Sequence, residues 1–204
     1  MADLKNKTAL VTGASRGIGR ATARALANGG ARVLVHYGNA SGEAESLVNE
    51  IRAAGGRADA AGADLAAPDG AHLLAQKVNG MIEDRLDIIV ANAGISKSAT
   101  IEEQTVEDFD RLFSINVRAP FFVVQQLLPL LSPGASIVFV SSLVGHSSIG
   151  NLAAYAATKG AIDTLVKHFA AALGPRGIRV GGHLRLEGRA DPRGQARHAA
   201  DDGG

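Results

Sequence analysis

Short apolar segments alternate with longer amphipathic segments over most of the chain, and this alternation constrains the fold more than any other feature. The apolar segments have the length and the Val/Ile content of buried strands, and they lie at residues 8–12, 31–37, 86–93 and 135–142. The intervening segments carry apolar side chains at helical spacing, at residues 17–30, 41–56, 68–84, 105–131 and 152–173. Strands that are apolar throughout must be covered on both faces, which requires a parallel sheet between helices. The sequence therefore predicts an α/β fold: a doubly wound, Rossmann-type parallel sheet flanked by helices.

The length of 204 residues suits one domain, which we assign to residues 1–180. The pattern stops there, because residues 181–204 are mostly Gly, Ala, Arg, Asp and His without any period. Only Leu184 and Leu186 are strongly apolar in that segment. A segment of this composition buries too little apolar surface to order itself, so the sequence predicts a disordered tail.

Composition argues against several functional classes. The formal net charge is +1 and no basic block is present, so nucleic-acid binding is not expected. The chain contains no cysteine, which excludes disulfides, thiol nucleophiles and thiolate metal sites and fits the cytoplasm; we predict no metal. The start lacks a signal-peptide pattern, and the most apolar stretch is interrupted by Gln125, Gln126 and Pro129, so no membrane association is expected.

A glycine-rich loop joins the first predicted strand to the first predicted helix. In "TGASRGIG", the glycines are Gly13, Gly17 and Gly19. Gly13 permits a sharp turn, Gly17 leaves space for a pyrophosphate near the backbone, and Gly19 allows the helix to pack close to the strand. The amides that begin the helix then face the phosphates. The alternative is an ordinary glycine-rich turn, which the strand before and the helix after make less attractive.

The choice of dinucleotide is expected to depend on the end of the second strand. A carboxylate there would bind the adenosine ribose and favour NAD, but "HYGNAS" (36–41) has no acid before Glu43. Arg16, inside the glycine loop, is placed to meet a 2′-phosphate. Both features favour NADP(H) as the cofactor; the alternative for Arg16 is a solvated loop cation.

Tyr155 and Lys159 are spaced one helical turn apart in "YAATK". A phenol has an ordinary pKa of about 10, and a nearby ammonium lowers that pKa enough for proton exchange near neutral pH. The small residues Ala156, Ala157 and Gly160 leave room for a cofactor beside the pair. Taken alone, the pair would be an ordinary feature of an amphipathic helix, and its functional interpretation depends on the glycine loop and on Ser142.

Together these motifs resemble the short-chain dehydrogenase/reductase family. "TGASRGIG", "NAG" at 92–94, Asn116, Ser142 and "YAATK" occur in the family's order and at its spacing over residues 5–180. Within the family the chain is most similar to NADPH-dependent reductases of the 3-oxoacyl-[acyl-carrier-protein] reductase type. The resemblance implies an oxidoreductase that transfers a hydride between NADP(H) and a carbonyl or secondary alcohol substrate.

The resemblance also implies roles for individual residues. Tyr155 would donate the proton, Lys159 would hold the nicotinamide ribose, Ser142 would bind the carbonyl oxygen, and the backbone of Asn116 would hold a water linked to Lys159. Ser141, Ser147 and Ser148 are rivals of Ser142 by composition alone. The residues predicted to contact the cofactor are Gly13, Ser15, Arg16, Gly17, Ile18, Gly19, His36, Tyr37, Asp64, Leu65, Asn92, Ala93, Gly94, Tyr155 and Lys159.

Several of these assignments have plain structural alternatives. Asp64 resembles the family's adenine-binding acid but is also a suitable cap for the next helix. Asn116 also suits a helix kink near Pro120, and "NAG" suits a simple strand-to-loop turn. We interpret His146, between Ser142 and Tyr155, as a solvated loop histidine.

The chain departs from the family after the predicted strand at 178–180. Family members continue with Asn-x-x-x-Pro-Gly, a helical substrate segment and a further strand, whereas Val180 is followed by Gly181 and Gly182. We therefore expect a C-terminally incomplete sheet, and the GC-rich codon usage implied by the tail suggests a frameshift near residue 181. This leaves an alternative function, a dinucleotide-binding module without turnover. A homodimer through residues 105–131 and 152–173 is expected rather than a tetramer.

Overall fold

The computed structural model describes residues 3–82 and 85–185, and within them strands and helices alternate as the sequence predicts. The strands are β1 (Thr8–Val11), β2 (Arg32–Tyr37), β3 (Arg57–Gly62), β4 (Leu86–Ala91), β5 (Leu131–Ser142) and β6 (Arg179–Arg185). The α-helices are α1 (Gly17–Asn28), α2 (Ser41–Ala53), α3 (Gly70–Met81), α4 (Val106–Phe113), α5 (Ala119–Leu127) and α6 (Ala153–Leu173).

The strands form one parallel sheet in the order β3-β2-β1-β4-β5-β6. Val11 pairs with Val35 of β2 on one side and with Val90 of β4 on the other. The chain therefore reverses its direction of winding at β1 and β4, and the crevice outside their carboxyl ends is where sheets of this kind bind ligands. The predicted doubly wound parallel sheet is confirmed.

Consecutive strand residues point to opposite faces of the sheet, and a separate apolar core covers each face. Leu10 and Leu34 belong to the core formed with α3, α5 and α6, which contribute Leu74, Leu127 and Ile162 among others. Val11 and Val35 belong to the core formed with α1 and α2, which contribute Ala23, Leu47 and Ile51 among others. Because helices cover both faces, the strands can be apolar throughout.

Strand β3 was missed in the sequence because its composition, RADAAG, is poor in β-branched and aromatic residues. It forms through tertiary contacts: it pairs in parallel with the whole of β2, from Arg32 opposite Arg57 to Tyr37 opposite Gly62. Asp59 also accepts ion pairs from Arg32 and Arg52, each at 2.7 Å. Burial raises the pKa of Asp59, but the hydrogen bonds and charges of the two arginines outweigh it and leave that pKa below its ordinary value.

The predicted helix over 105–131, with a kink at Pro120, is divided into several parts. Helix α4 ends at Phe113, a π-helical turn spans Ser114–Arg118, α5 follows, and a 3₁₀ turn at Leu128–Leu130 leads into β5 at Leu131. Proline has no N–H, so Pro120 cannot donate to the carbonyl of Asn116 four residues earlier. π-Helix is rare and occurs mostly as a single turn within α-helical structure, as it does here between α4 and α5.

The last strand extends beyond the predicted end at Val180, which corrects that boundary. In the register with β5, Gly181 lies opposite Val138, Gly182 opposite Phe139, and the strand ends at Arg185. Glycine weakens a strand but keeps its amide and carbonyl, so the ladder continues through the Gly-Gly pair. The remainder of the predicted disordered tail, residues 186–204, lies outside the described residues.

None of the helices in the described ranges combines the length and the apolar character that crossing a bilayer requires.

Candidate active site

The predicted site residues meet at the carboxyl edge of the sheet. The glycine loop leaves β1, the segment with Asn92 leaves β4, and Ser142 ends β5. The first half of α6, which carries Tyr155 and Lys159, contacts β5 and β6 on the core side that holds Ile162. The fold therefore brings sequence motifs more than a hundred residues apart to one edge.

Each of the three loop positions favours glycine for a different steric reason. Gly13 has φ +62°, and a Cβ on it would lie 2.9 Å from the Cα of Ala93. A Cβ on Gly19 would lie 2.3 Å from the carbonyl oxygen of Gly13, so α1 packs directly against the loop. Gly17 has φ +57°, and a Cβ there would meet nothing within 4 Å. The loop is thus closed against the protein at Gly13 and Gly19 and open at Gly17.

Thr12 and Asn92 fasten the loop to the end of β4. The Oγ1 of Thr12 accepts hydrogen bonds from the amides of Asn92 (3.0 Å) and Ala93 (2.9 Å). The side-chain amide of Asn92 donates in return to the carbonyls of Thr12 (2.8 Å) and Gly13 (3.1 Å). The role of Thr12 was not recognised in the sequence. The side-chain amide of Asn92 is engaged in bracing the loop.

His36 lies behind the loop and is buried, whereas the sequence placed it among the cofactor contacts. Its Nδ1 accepts from the amide of Gly13 and its Nε2 donates to the carbonyl of Ala63, both at 3.0 Å. Burial lowers the pKa of His36 to about 4; the bond to Ala63 opposes this shift, and the charge of Lys77 adds to it. The ring is therefore neutral at neutral pH, as its two hydrogen bonds require.

A cleft of about 540 Å³ opens beside the outer end of the loop. Its lining residues are Ser15, Arg16, Gly17, Arg20, Gly42, Glu43 and Ser46. The Arg16 side chain is exposed, whereas the guanidinium of Arg20 donates to the carbonyl of Glu43 (2.9 Å) and pairs with Glu50 (3.0 Å). Arg20 was not singled out in the sequence, where it is one of the two arginines of α1.

The remaining predicted adenosine contacts lie at the ends of β2 and β3. The Tyr37 ring covers Gly62, because a Cβ on that glycine would lie 2.7 Å from the ring's Cζ. Asp64 is exposed and its Oδ1 accepts from the amide of Ala66 (2.9 Å), so it closes a local turn. The alternative that Asp64 caps the next helix is wrong, because α3 begins at Gly70 and its N-cap is Asp69. The side chain of Leu65 is buried in the core that contains α3.

Tyr155 and Lys159 are adjacent and nearly buried, at 5% and 6% exposure. The Lys159 ammonium lies 5.6 Å from the centroid of the Tyr155 ring and donates to the carbonyl of Val140 at 2.9 Å. A Cβ on Gly94 would lie 3.8 Å from the same nitrogen, so the "NAG" turn lies next to the Lys159 ammonium. The structure thus places a buried cation between the phenol, β5 and the turn after β4.

Asn116 links that turn to α6 from within the π-helical segment. Its Oδ1 accepts from the amide of Ile95, and its Nδ2 donates to the carbonyl of Ile95 (both 2.9 Å) and to the Oγ1 of Thr158 (3.1 Å). The side chain is therefore a structural brace. Its backbone carbonyl is the group that Pro120 leaves without its usual helical donor. Thr158 was not noticed in the sequence.

The chain after β5 is packed closely on α6. Ser142 is fully buried, and its Oγ accepts from the amide of Val144 at 3.4 Å. A Cβ on Gly145 would lie 3.1 Å from the amide nitrogen of Gly160, so a side chain at this turn would require the helix to give by a few tenths of an ångström. The His146 side chain is 57% exposed, as the prediction of a solvated loop histidine requires, and its Nε2 lies 2.8 Å from Oδ2 of Asp163.

Comparison with known proteins identifies relatives of this chain. An uncharacterized oxidoreductase of Methylorubrum extorquens is 39% identical over 186 residues, which cover 88% of this chain and 72% of the relative. The hydroxynaphthalene reductase arp2 of Aspergillus fumigatus is 38% identical over 177 residues, covering 87% of this chain and 64% of the relative. The chain thus spans about two thirds of the length of these curated relatives.

The structural comparison agrees with the sequence comparison. The crystal structure of the angucycline C-6 ketoreductase LanV with bound NADP superposes with a TM-score of 0.85 at 40% identity, covering 89% of this chain and 72% of LanV. The family profile described as short chain dehydrogenase matches residues 7–183. The chain belongs to the short-chain dehydrogenase family of oxidoreductases.

Proposed function

We propose that the chain is an NADP(H)-dependent carbonyl reductase in which Tyr155 transfers the proton. The observation that carries the proposal is the buried Lys159 ammonium against the Tyr155 ring, at the sheet edge that also holds the glycine loop and Ser142. A buried cation favours the ionised form of a neighbouring phenol, which suits the phenol to acid–base work.

The glycine loop and the first turn of α1 fit the pyrophosphate of a dinucleotide. Gly17 leaves open space above the backbone, and the first amides of a helix lack acceptors within the helix. At the outer end, Arg16 and Arg20 line the cleft where a 2′-phosphate would lie, and β2 ends in Tyr37 rather than an acid. The NADP bound to LanV supports the same preference here.

The chain's own residues supply the proton and the position of the carbonyl. When bound, NADPH supplies the hydride that adds to the carbonyl carbon. Tyr155 gives its proton to the carbonyl oxygen, and Ser142 holds that oxygen by a hydrogen bond. Lys159 stabilises the resulting phenolate, and a water held by the Asn116 carbonyl passes a solvent proton back through Lys159 to Tyr155. Carbonyl, hydride and proton together give the alcohol.

The substrate class is a ketone. The names of the relatives, hydroxynaphthalene reductase and angucycline ketoreductase, favour a ketone on a fused ring system. The resemblance to 3-oxoacyl reductases favours an acyclic β-ketothioester instead. A panel containing a tetralone, a β-ketoacyl thioester and a simple aliphatic ketone separates these alternatives.

The direct test measures NADPH binding by fluorescence and then NADPH oxidation with the panel. We expect binding, weaker binding of NADH, and oxidation that depends on at least one ketone. Arg16→Ala should reduce the preference for NADPH over NADH, whereas Arg57→Ala, on β3, should not change it. Absence of NADPH binding would overturn the proposal.

A second candidate is a dinucleotide-binding module without turnover. It requires only the glycine loop and the cleft lined by Arg16 and Arg20, which are formed within the described residues. NADPH binding without consumption across the whole panel would select this candidate over the reductase.

We also propose that the chain forms a homodimer through α4, α5 and α6. An open apolar groove of about 590 Å³ lies on this face, lined by Asp110, Phe113, Ser114, Val117, Arg118, Phe121, Phe122 and Leu165. Phe122 is 41% exposed, which is costly for an aromatic ring unless a partner covers it. Light scattering should give a dimer mass for the wild type and a monomer mass for Phe122→Glu. Leu73→Glu, a similarly exposed position on α3, should remain dimeric; a monomeric wild type would contradict the proposal.

A further inference from the structure

Two consecutive amides of the glycine loop are held by a single residue, His36. The amide of Gly13 donates to the His36 ring at 3.0 Å, and the amide of Ala14 donates to the His36 carbonyl at 2.8 Å. The opposite ring nitrogen donates to Ala63, just after β3. His36 therefore joins the start of the loop to the ends of β2 and β3.

We propose that His36 is a positioning residue for dinucleotide binding, whose ring fixes the plane of the Thr12–Gly13 peptide and thereby the direction of the loop that follows. The inference rests on the proposed function, because it concerns affinity for NADP(H). His36 is 2% exposed and lies on the protein side of the loop, so it acts through Gly13 and Ala14 rather than through contact with the cofactor.

The position of the Thr12–Gly13 peptide, which carries the amide held by the His36 ring, matters because the loop has little freedom on its other side. Gly13 already lies against Ala93, and the Thr12 carbonyl of this peptide accepts from the Asn92 amide at 2.8 Å. A rotation of the Thr12–Gly13 peptide would therefore break the bond to Asn92 and shift Gly13, whose own carbonyl contacts the start of α1 at Gly19. The first amides of α1 are the groups that would bind the pyrophosphate, so their direction depends on this peptide.

The neutral ring is essential to the arrangement. Only a neutral imidazole protonated at Nε2 can accept from Gly13 and donate to Ala63 at the same time. Burial favours this neutral state, consistent with the lowered pKa of His36. Among polar side chains, asparagine places an oxygen near the position of Nδ1, whereas glutamine reaches toward the position of Nε2.

Three substitutions of His36 distinguish a role in positioning the loop from a role in packing of the core. His36→Asn keeps an acceptor for Gly13, His36→Gln keeps a donor toward Ala63, and His36→Leu keeps neither. Asparagine and glutamine each lose one of the two ring bonds, so their losses of thermal stability should be similar. His72→Asn, at an exposed position of α3, is the matched control.

The experiment measures the NADPH dissociation constant by fluorescence, KM and kcat with NADPH varied, and the melting temperature. We expect His36→Asn to bind NADPH like the wild type, and His36→Gln and His36→Leu to bind about tenfold more weakly, the effect of one hydrogen bond. The KM for NADPH should rise with kcat at saturation unchanged. Similar dissociation constants for the asparagine and glutamine variants would overturn the inference.

A cofactor-free readout covers the case in which the glutamine or leucine variant does not fold. In ¹⁵N-labelled protein, the Gly13 amide of the wild type and of His36→Asn should exchange slowly with solvent, and the wild type should show scalar coupling from that amide to the histidine Nδ1. Fast exchange of the Gly13 amide in the wild type would refute the arrangement. A wild type that binds no NADPH would overturn the proposed function, whereas binding that is indifferent to residue 36 would overturn only this inference.

Discussion

The glycine loop and helix α6 lie at the same edge of the sheet but are stabilised in different ways. The loop is held by neutral groups, since Thr12, His36 and Asn92 exchange hydrogen bonds with backbone amides and carbonyls. Helix α6 instead carries a buried ammonium, that of Lys159, beside a phenol. Substitutions in the loop should therefore change affinity for the cofactor, and substitutions in the helix should change the rate of the chemical step.

The largest effect is expected from Tyr155→Phe. Loss of the proton donor should lower turnover by about 10²–10⁴-fold, while the NADPH dissociation constant changes by less than about threefold. Steady-state kinetics and fluorescence titration measure the two quantities, with Thr164→Val, which removes a hydroxyl from an exposed position of the same helix, as a control that keeps turnover. Undiminished turnover in Tyr155→Phe would remove the distinction between the loop and the helix.

A smaller catalytic loss is expected from Lys159→Met. The substitution keeps the volume of the side chain but removes the charge, so turnover should fall by about a hundredfold. Methionine cannot donate to the Val140 carbonyl, so the variant should also lose about 1–3 kcal/mol of unfolding free energy. Lys167→Met, at an exposed position of the same helix, is the control. Turnover equal to that of the control would contradict the assigned role.

Because the glycine loop depends on a neutral His36 ring, we expect the free energy of unfolding to fall in acid. Folding lowers the pKa of His36 from 6.5 to about 4, so the folded state resists protonation. Its contribution to stability is complete above about pH 6.5 and is lost as the pH falls toward 4, by about 3 kcal/mol in total. Urea titrations across this range should show this loss in the wild type and a smaller one in His36→Asn. Equal pH dependence in both would contradict the neutral-group description of the loop.

The smallest effect is expected from closer packing of the loop. A Cβ on Gly19 would lie 2.3 Å from the Gly13 carbonyl, so Gly19→Ala should cost about 1–3 kcal/mol of unfolding free energy and raise the KM for NADPH. Gly80→Ala, in an open part of α3, should be neutral or stabilising by up to about 1 kcal/mol. Similar stability changes in the two variants would show that the loop is not tightly packed.

The sequence predicts the parts of the fold that have strong local patterns. The apolar runs that become β1, β2, β4 and most of β5 were recognised, whereas β3 was missed because alanine, aspartate and glycine carry no strand signal. The predicted end of the last strand at Val180 was wrong for a related reason. Gly181 and Gly182 are typical of a break, but pairing with β5 carries the strand through them.

The site was predictable where the chemistry is carried by residue type and spacing. The glycine loop and the Tyr155–Lys159 pair are of this kind. The bracing contacts were not predictable, since Thr12, Thr158 and the His146–Asp163 pair are joined only by the fold. The side chain of His36 was also beyond prediction. Its position in the sequence suggests contact with the cofactor but does not indicate on which side of the loop the side chain lies.

The measurement that tests the account most directly follows deuterium from NADPH labelled at C4 of the nicotinamide into the product. The account predicts one deuterium on the carbinol carbon of the alcohol made by the wild-type chain, and no labelled alcohol from Tyr155→Phe. Alcohol formed without deuterium on that carbon, or labelled alcohol formed equally by both proteins, would contradict it.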